Sequence, residues 1–308
     1  MSKQIIEKDM KQVNQVLSTV LGCSGFSRIA RLGGLTNHTY HVTLANAEEY
    51  VIRIPGEGTE EMIIRGNERI STELACRLGV DAEMLYFGED GTKVTRYIPN
   101  AVTMSAELLA SPKRIRQVAE IFRVMHTSNA DTGVPFEVFD MAASYEKIIG
   151  DMQVPLFEDY AAIKQEVMAI KDQIDAAMDI KKVPCHNDPL CENWVLGNGR
   201  MYLIDWEYAG MNDGMWDLAD VSIEACFGDA QDKLLLTEYL DREPDIQEML
   251  HFYANKIYVD YLWTLWAKAR VPYDGQPMED WAVERYTRMK ASIQRYQRIR
   301  AEKHEKDT

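Results

Sequence analysis

The chain has 308 residues, 46% of them apolar and 27% charged, with a formal net charge of −15 at pH 7. That is enough length for one large domain or two ordinary ones with a real core, and the composition is that of a globular protein. The acidic balance argues against non-specific nucleic-acid binding and against an anionic membrane surface, and weakly favours a cationic small molecule as partner.

Residues 3–21 place Ile6, Met10, Val13, Leu17, Val20 and Leu21 at helical spacing, which predicts an amphipathic helix. The period then changes to two, and 26–32, 40–44 and 50–54 read as three strands. The first two are joined by Gly33-Gly34-Leu35-Thr36-Asn37. Paired glycines suit an ordinary hairpin turn, and equally a flap whose backbone N–H groups cover phosphates. The third strand carries Arg53 between Ile52 and Ile54, where an unpaired cation is costly to bury. A helix over 62–78 follows with Arg65, Glu68, Arg69 and Glu73. Glu68 is a candidate partner for Arg53, and the pair a candidate phosphate holder; the plainer reading is a solvated helix face beside an edge-strand arginine. Strands over 82–87 and 93–98, with a turn at Glu89-Asp90-Gly91, complete the first region before Pro99 and Asn100 break the pattern.

The predicted division is therefore 1–99, a five-stranded antiparallel sheet with a helix, and 100–308, mainly helical, joined by a short hinge at Pro99. Ser111 and Pro112 read as N-cap and first position of a helix with Ile115, Val118, Ala119, Phe122 and Met125 on one face. Further helices are predicted over 138–150, 154–179, 214–227, 230–240, 243–270 and 276–303. The five cysteines, Cys23, Cys76, Cys185, Cys191 and Cys226, are odd in number and include no C-x-x-C pair. Neither a disulfide framework nor a zinc site is expected, and a reducing cytoplasm is the expected home. No signal-peptide core and no apolar run of membrane length is read, so no membrane partner is expected.

One hairpin interrupts the helical region. His186-Asn187-Asp188-Pro189-Leu190-Cys191-Glu192-Asn193 leads into a turn at Asn198-Gly199 and an apolar run ending in Asp205. Such a hairpin brings Asn193 and Asp205 together as oxygen ligands for a hard cation such as Mg²⁺, with Asp188 near enough to accept a proton. The plainer reading is an acidic turn before a core strand. A second feature lies near the C-terminus, where Trp263-Thr264-Leu265-Trp266 sets two indoles on neighbouring positions of one helix face and Trp281 follows. Indole faces attract desolvated cations, each contact worth on the order of 0.5–2 kcal/mol. A quaternary ammonium has no N–H to donate, so such a cage with a carboxylate suits it; Glu207 and Glu224 are candidate carboxylates and Tyr208 a candidate wall. Aromatic residues at helical spacing are otherwise core.

A β-rich lobe, a hinge, a helical lobe, and His186-x-Asp188-x-x-x-x-Asn193 followed by an apolar strand ending in Asp205 together resemble the protein-kinase-like fold. The resemblance covers nearly the whole chain. It is closer to aminoglycoside phosphotransferases and choline kinases, whose catalytic loop is also His-x-Asp, and closest to the bacterial choline kinases. Its most specific parts are Ile204-Asp205-Trp206-Glu207-Tyr208-Ala209-Gly210-Met211-Asn212-Asp213 and Trp216-Asp217-Leu218-Ala219-Asp220.

The resemblance implies an α+β bilobal fold and Mg²⁺-dependent phosphorylation of choline by ATP. Asp188 is then the base or orienting carboxylate, and Asn193 and Asp205 the metal ligands. ATP is held by the Gly33-Gly34 turn with Asn37, by Arg53, which stands where kinases usually carry lysine, with Glu68, and at the hinge by Tyr97 and Ile98. His186 and Asp217 support the catalytic loop. Trp263, Trp266, Trp281 and Glu224 match the family's choline pocket, with Glu207 and Tyr208 beside them. The rivals are ethanolamine, an aminoglycoside, and a non-catalytic kinase-like binding protein. A zinc hydrolase built on His186, Asp188 and Cys191 lacks a recognisable three-ligand set.

Overall fold

The computed structural model describes residues 7–32, 37–56 and 63–307. Gly33, Gly34 and the first residues of the predicted N-terminal helix lie outside the described residues. The chain forms two compact units, Met1–Met104 with Glu192–Gly210, and Ser105–Cys191 with Met211–Thr308.

The first unit is built on the antiparallel sheet β1 (Arg28–Arg31), β2 (Asn37–Thr43), β3 (Glu49–Pro55), β4 (Met84–Phe87) and β5 (Lys93–Arg96), in the order β1-β2-β3-β5-β4. Alternation decides its two faces. Tyr40, Ile52 and Val94 lie in register, and with Val42 they bury against Val13, Val16 and Leu17 of α1 (Glu7–Thr19). The intervening positions, Thr39, His41, Val51 and Arg53, therefore point to the opposite face. Helix α2 (Arg65–Leu78) connects β3 to β4 and ends at Gly79, whose φ of 72° suits a left-handed C-cap.

The observed division differs from the expected break at Pro99 in two respects: the first stretch of the first unit runs on to Met104, and a later segment rejoins it. The chain returns to the first unit for the hairpin β8 (Trp194–Gly197) and β9 (Arg200–Leu203), which the sequence assigned to the helical region. Backbone pairing explains the return. Strand β6 (Val102–Thr103) pairs with β8, the Met104 N–H donates to the Trp194 carbonyl at 2.8 Å, and the Leu203 N–H donates to the Val80 carbonyl at 3.0 Å.

The second unit is helical: α3 (Ala106–Leu109), α4 (Pro112–His126), α5 (Val138–Asp151), α6 (Tyr160–Ala177), α7 (Gly214–Glu224), α8 (Asp229–Leu240), α9 (Ile246–Asp274) and α10 (Gln276–Asp307). A short pairing of β7 (Lys182–Cys185) with β10 (Gly210–Asp213) accompanies them. Helix α9 is its axis, packed against α5, α6, α7 and α10 and buried almost continuously from Leu250 to Ala269. Its start is fixed by a capping box in which Asp245 accepts from the Gln247 and Glu248 N–H groups at 2.8 and 2.9 Å. Ser111 does occupy the N-cap position of α4, but its hydroxyl donates to the Leu108 carbonyl at 3.1 Å instead of capping. No helix of the described residues is long and apolar enough to cross a membrane.

Gly197 is the point where the hairpin closes on the end of the first strand region. A Cβ there would stand 2.2 Å from Ile98 Cγ2 and 3.0 Å from the Pro99 carbonyl oxygen. Gly197→Ala is expected to destabilise the protein by about 1–3 kcal/mol, the usual cost of overpacking. Urea unfolding checks this, and an unchanged midpoint would show that the contact gives way freely.

Candidate active site

The first unit places a group of opposed charges on the sheet face away from α1. Arg53 projects from β3, and its Nη2 meets Glu68 Oε1 at 2.5 Å. Glu68 is fully buried, on the first turn of α2, so the pair answers the cost of an arginine inside an apolar strand. Arg65, one helical turn earlier, binds Glu68 Oε2 at 2.8 Å and Glu207 Oε1 at 2.8 Å. Lys93, Arg53's register partner on β5, reaches Glu68 at 3.6 Å. Arg53 Nη1 also lies 3.2 Å from Asp205 Oδ1 and 3.3 Å from Glu207 Oε1, and Asn37 donates to Glu207 Oε1 at 2.9 Å.

The hairpin determines where Asn193 and Asp205 sit. The register Trp194↔Leu203 is extended by the Ile204 N–H donating to the Asn193 carbonyl at 2.9 Å, which brings Asn193 beside the start of the Ile204-Asp205 segment. Asp205 has a φ of 70°, a left-handed conformation that a non-glycine residue rarely adopts without a constraint. Its side chain is 36% exposed, whereas those of Glu68 and Glu207 are at most 6% exposed. Carboxylate oxygens of Glu68, Asp205 and Glu207 lie within 4.8 Å of one another. An all-oxygen set of this kind fits a hard cation such as Mg²⁺, and Asp205 is the member open to one. Behind the hairpin, buried Asp81 accepts from the Trp206 indole at 3.0 Å. Burial raises its carboxyl to about 6.

Tyr97 stacks on His41, with centroids 3.8 Å apart and planes 12° from parallel. That sets its ring on the same sheet face as Arg53. Ile98, the other residue expected to hold ATP at the hinge, is the residue packed on Gly197.

In the second unit, the segment carrying Asp188 is held from behind by Asp217 of α7. The His186 and Asn187 N–H groups donate to the two Asp217 oxygens, each at 2.8 Å. Asn187 takes a φ of 66°, and its carbonyl accepts from the Trp216 indole at 3.0 Å while its side-chain oxygen accepts from Asn212 at 2.9 Å. His186 is fully buried, and its Nδ1 lies 3.3 Å from the Asp188 N–H nitrogen. Asp188 itself is half-buried. His126, Cys185 and Asp217 are close enough to suggest a metal cluster, but Asp217 is engaged by the backbone and by His126 at 3.2 Å. Burial, with Asp217 and Asp213 adding to it, pushes the Cys185 thiol well above its ordinary range, so it is a poor source of thiolate.

The three indoles meet in this unit. Trp263 and Trp266 are edge to face at 6.1 Å, and Trp266 and Trp281 at 5.8 Å. Trp263 is buried, while Trp266 and Trp281 are half-buried. The Arg285 guanidinium lies over Trp281 at 4.2 Å and pairs with Glu224, so both of those predicted pocket residues already engage an internal cation. Glu207 and Tyr208, read with the indoles from the sequence, belong to the first unit, and Glu207 is bound there by Arg53, Arg65 and Asn37.

Sequence reasoning gave no site role to Arg65, Lys93, Gly91 or Arg285. Gly91 has a φ of 85°, its carbonyl accepts from Arg53 at 3.1 Å, and a Cβ on it would stand 2.6 Å from Arg65. The Asp90-Gly91 pair marked the turn but not what it touches. Arg65 carried a signal in its spacing from Glu68; Arg285 carried none beyond its distance of four residues from Trp281.

A family model described as choline/ethanolamine kinase matches residues 28–266. Among solved structures, a choline/ethanolamine kinase family protein from Mesorhizobium loti is 33% identical with a TM-score of 0.84, covering 95% of this chain and 98% of its own. The choline kinase LicA from Streptococcus pneumoniae is 30% identical with a TM-score of 0.80, covering 94% and 100%. A LicA structure in complex with AMP is 29% identical with a TM-score of 0.75, covering 93% and 98%.

Removing Arg53 leaves Glu68 buried with only part of its compensation. Arg53→Met is expected to lower stability toward the low end of the roughly 3–5 kcal/mol typical of a broken buried pair, because Arg65 remains bound. Adding Glu68→Gln to that variant is expected to recover part of the loss. Urea unfolding of the single and double variants measures the coupling, and strictly additive losses would mean the pair does not act as a unit.

Proposed function

The chain belongs to the choline/ethanolamine kinase family, and from that premise we propose that it transfers the γ-phosphoryl group of ATP, with Mg²⁺, to the hydroxyl of choline. Membership makes it a phosphotransferase acting on an alcohol. The products in this reading are phosphocholine and ADP. The observation that carries the choline assignment is the contact of Trp263, Trp266 and Trp281 in the unit that also presents Asp188.

Asp188 is assigned to the acceptor hydroxyl. As that oxygen bonds to the γ-phosphorus and the bond to the bridging oxygen of ADP breaks, Asp188 takes the hydroxyl proton. The paired backbone bonds from His186 and Asn187 to Asp217 support this role, since they hold the start of the loop in one conformation. Asn193 and Asp205 are assigned to Mg²⁺, with Glu207 behind Asp205. The ion supplies charge neutralisation on the phosphates when bound. Arg53 and Arg65 bring fixed positive charge to the same place, and their forks suit phosphate oxygens. Tyr97 is assigned to the adenine, with Ile98 beside it; Gly33 and Gly34 are kept as the phosphate flap on sequence grounds alone.

The acceptor reading favours choline over ethanolamine and over an aminoglycoside on chemical grounds. A trimethylammonium group gains from indole faces and asks for no hydrogen bonds, whereas a primary ammonium asks for three acceptors. An aminoglycoside would need many carboxylates and few indoles.

Asp188→Ala is expected to reduce kcat by several orders of magnitude while Mg²⁺-ATP binding, read by calorimetry, persists. Near-normal turnover would remove Asp188 from its role. Trp263→Ala and Trp266→Ala are each expected to raise the KM for choline with little change in the KM for ATP. Equal effects on both, or loss of folding with choline affinity intact in the native fraction, would make the indoles core residues only.

A further inference from the structure

The second unit carries more negative charge beside its indoles than its own guanidinium groups balance. Arg285, 2% exposed, holds Glu224 and reaches Asp260 Oδ1 at 3.2 Å. Arg288 takes Asp260 through both oxygens, at 2.9 and 2.7 Å. The two guanidinium groups are thus committed to Glu224 and Asp260. Asp220 lies one helical turn before Glu224 on α7 and is 1% exposed. Neither of its carboxylate oxygens has a hydrogen-bond partner. The charged groups that act on it most are Glu224 and Asp217 of its own helix, Asp188 of the loop and Arg285 of α10. Asp217 is already bound to His126 and to two backbone N–H groups.

A buried carboxylate with no donor is costly, and native proteins rarely keep one without a use. The contacts connect its neighbour Glu224, one turn further along α7, to the indoles: Trp266 touches Trp281, Trp281 carries Arg285, and Arg285 holds Glu224. We propose that Asp220 is the charge-matching residue of the acceptor site, and that the ammonium of the acceptor supplies the one positive charge that the cluster of Asp220, Glu224, Asp260, Arg285 and Arg288 lacks. This rests on the acceptor reading above and names the residue that sets its preference for a cation. Glu224 is the obvious carboxylate from the sequence, but its charge is answered internally by Arg285.

Asp220 acts as a positioning residue through its field, because its oxygens are sealed off from solvent. A quaternary ammonium is suited to this, since it needs negative potential and offers no N–H for a direct bond. Burial pushes the Asp220 carboxyl well above the usual carboxylate range, Glu224 and Asp188 adding to that and Arg285 opposing it. An arriving ammonium acts in the opposite sense to burial, favouring the charged carboxylate.

The test compares kcat/KM for choline with that for its neutral isostere, in which carbon replaces the quaternary nitrogen. Asp220→Asn keeps the shape and removes the charge. It is expected to reduce the preference for choline over the isostere by about tenfold or more, through the KM for choline, as expected for a charge lost from a poorly solvated site. The KM for ATP and the turnover of the isostere should not move, and thermal stability should be unchanged or higher, since an unpaired buried carboxyl is removed. Asp220→Ser serves if the asparagine variant does not fold. A preference for choline that survives in the folded variant overturns the proposal and returns the role to Glu224. Wild-type protein that phosphorylates no choline would instead overturn the acceptor reading itself, before any variant is made.

Discussion

A guanidinium inside an apolar strand must be answered by a carboxylate, and the first unit is organised around that requirement. Arg53 is fixed by its place in β3, with Ile52 and Ile54 committed to the opposite face. Glu68 has to be brought to it by α2, at 2.5 Å and without solvent. Once that pair is in place, Arg65 follows from helical spacing, Lys93 from strand register, and Gly91 from the absence of room for a Cβ. Glu207 and Asp205 then close the group from the hairpin side. The result is a patch of alternating charge whose fixed cations and open Asp205 suit phosphates carried with a metal ion.

The second unit solves a different problem with the same means. A loop that presents Asp188 has to be stiff, and Asp217 stiffens it by accepting two consecutive backbone N–H groups. The same helix, α7, carries Asp217, Asp220 and Glu224 along its buried length. Loop anchoring, the buried and unpartnered carboxyl of Asp220 and the pairing with Arg285 therefore come from a single element. Helix α9 supplies two of the indoles and Asp260, and α10 supplies Trp281, Arg285 and Arg288. Their contacts make the indole cluster a matter of helix packing rather than of loops, which favours rigidity.

Much of the fold class was legible because long elements declare their period. The alternation around Tyr40, Ile52 and Val94, and the helical faces of α1 and α4, are signals of this kind. Elements of two to four residues, β6, β7, β10 and α3, show no period, and the return of the hairpin to the first unit is decided by backbone hydrogen bonds that no side-chain pattern reports. In the site, Asp188, Asn193 and Asp205 stood out because they are short polar residues around an otherwise apolar hairpin. Partners contributed from elsewhere in the chain did not. Glu207 read as a candidate substrate carboxylate with nothing in the pattern to announce Arg65 and Asn37 on it, and Trp281 read as a further aromatic of the cage with nothing to announce Arg285 over it. Asp220 lies in the Trp216-Asp217-Leu218-Ala219-Asp220 segment that carries the family resemblance, yet only its unpaired oxygens distinguish it from Asp217 three residues earlier.

The most direct measurement of the account is ADP release by the purified protein, with ATP and Mg²⁺, across choline, ethanolamine and a set of aminoglycosides. The account predicts the highest kcat/KM for choline, with phosphocholine formed in step with ADP. ADP release that does not depend on choline, or that is fastest with an aminoglycoside, would contradict it.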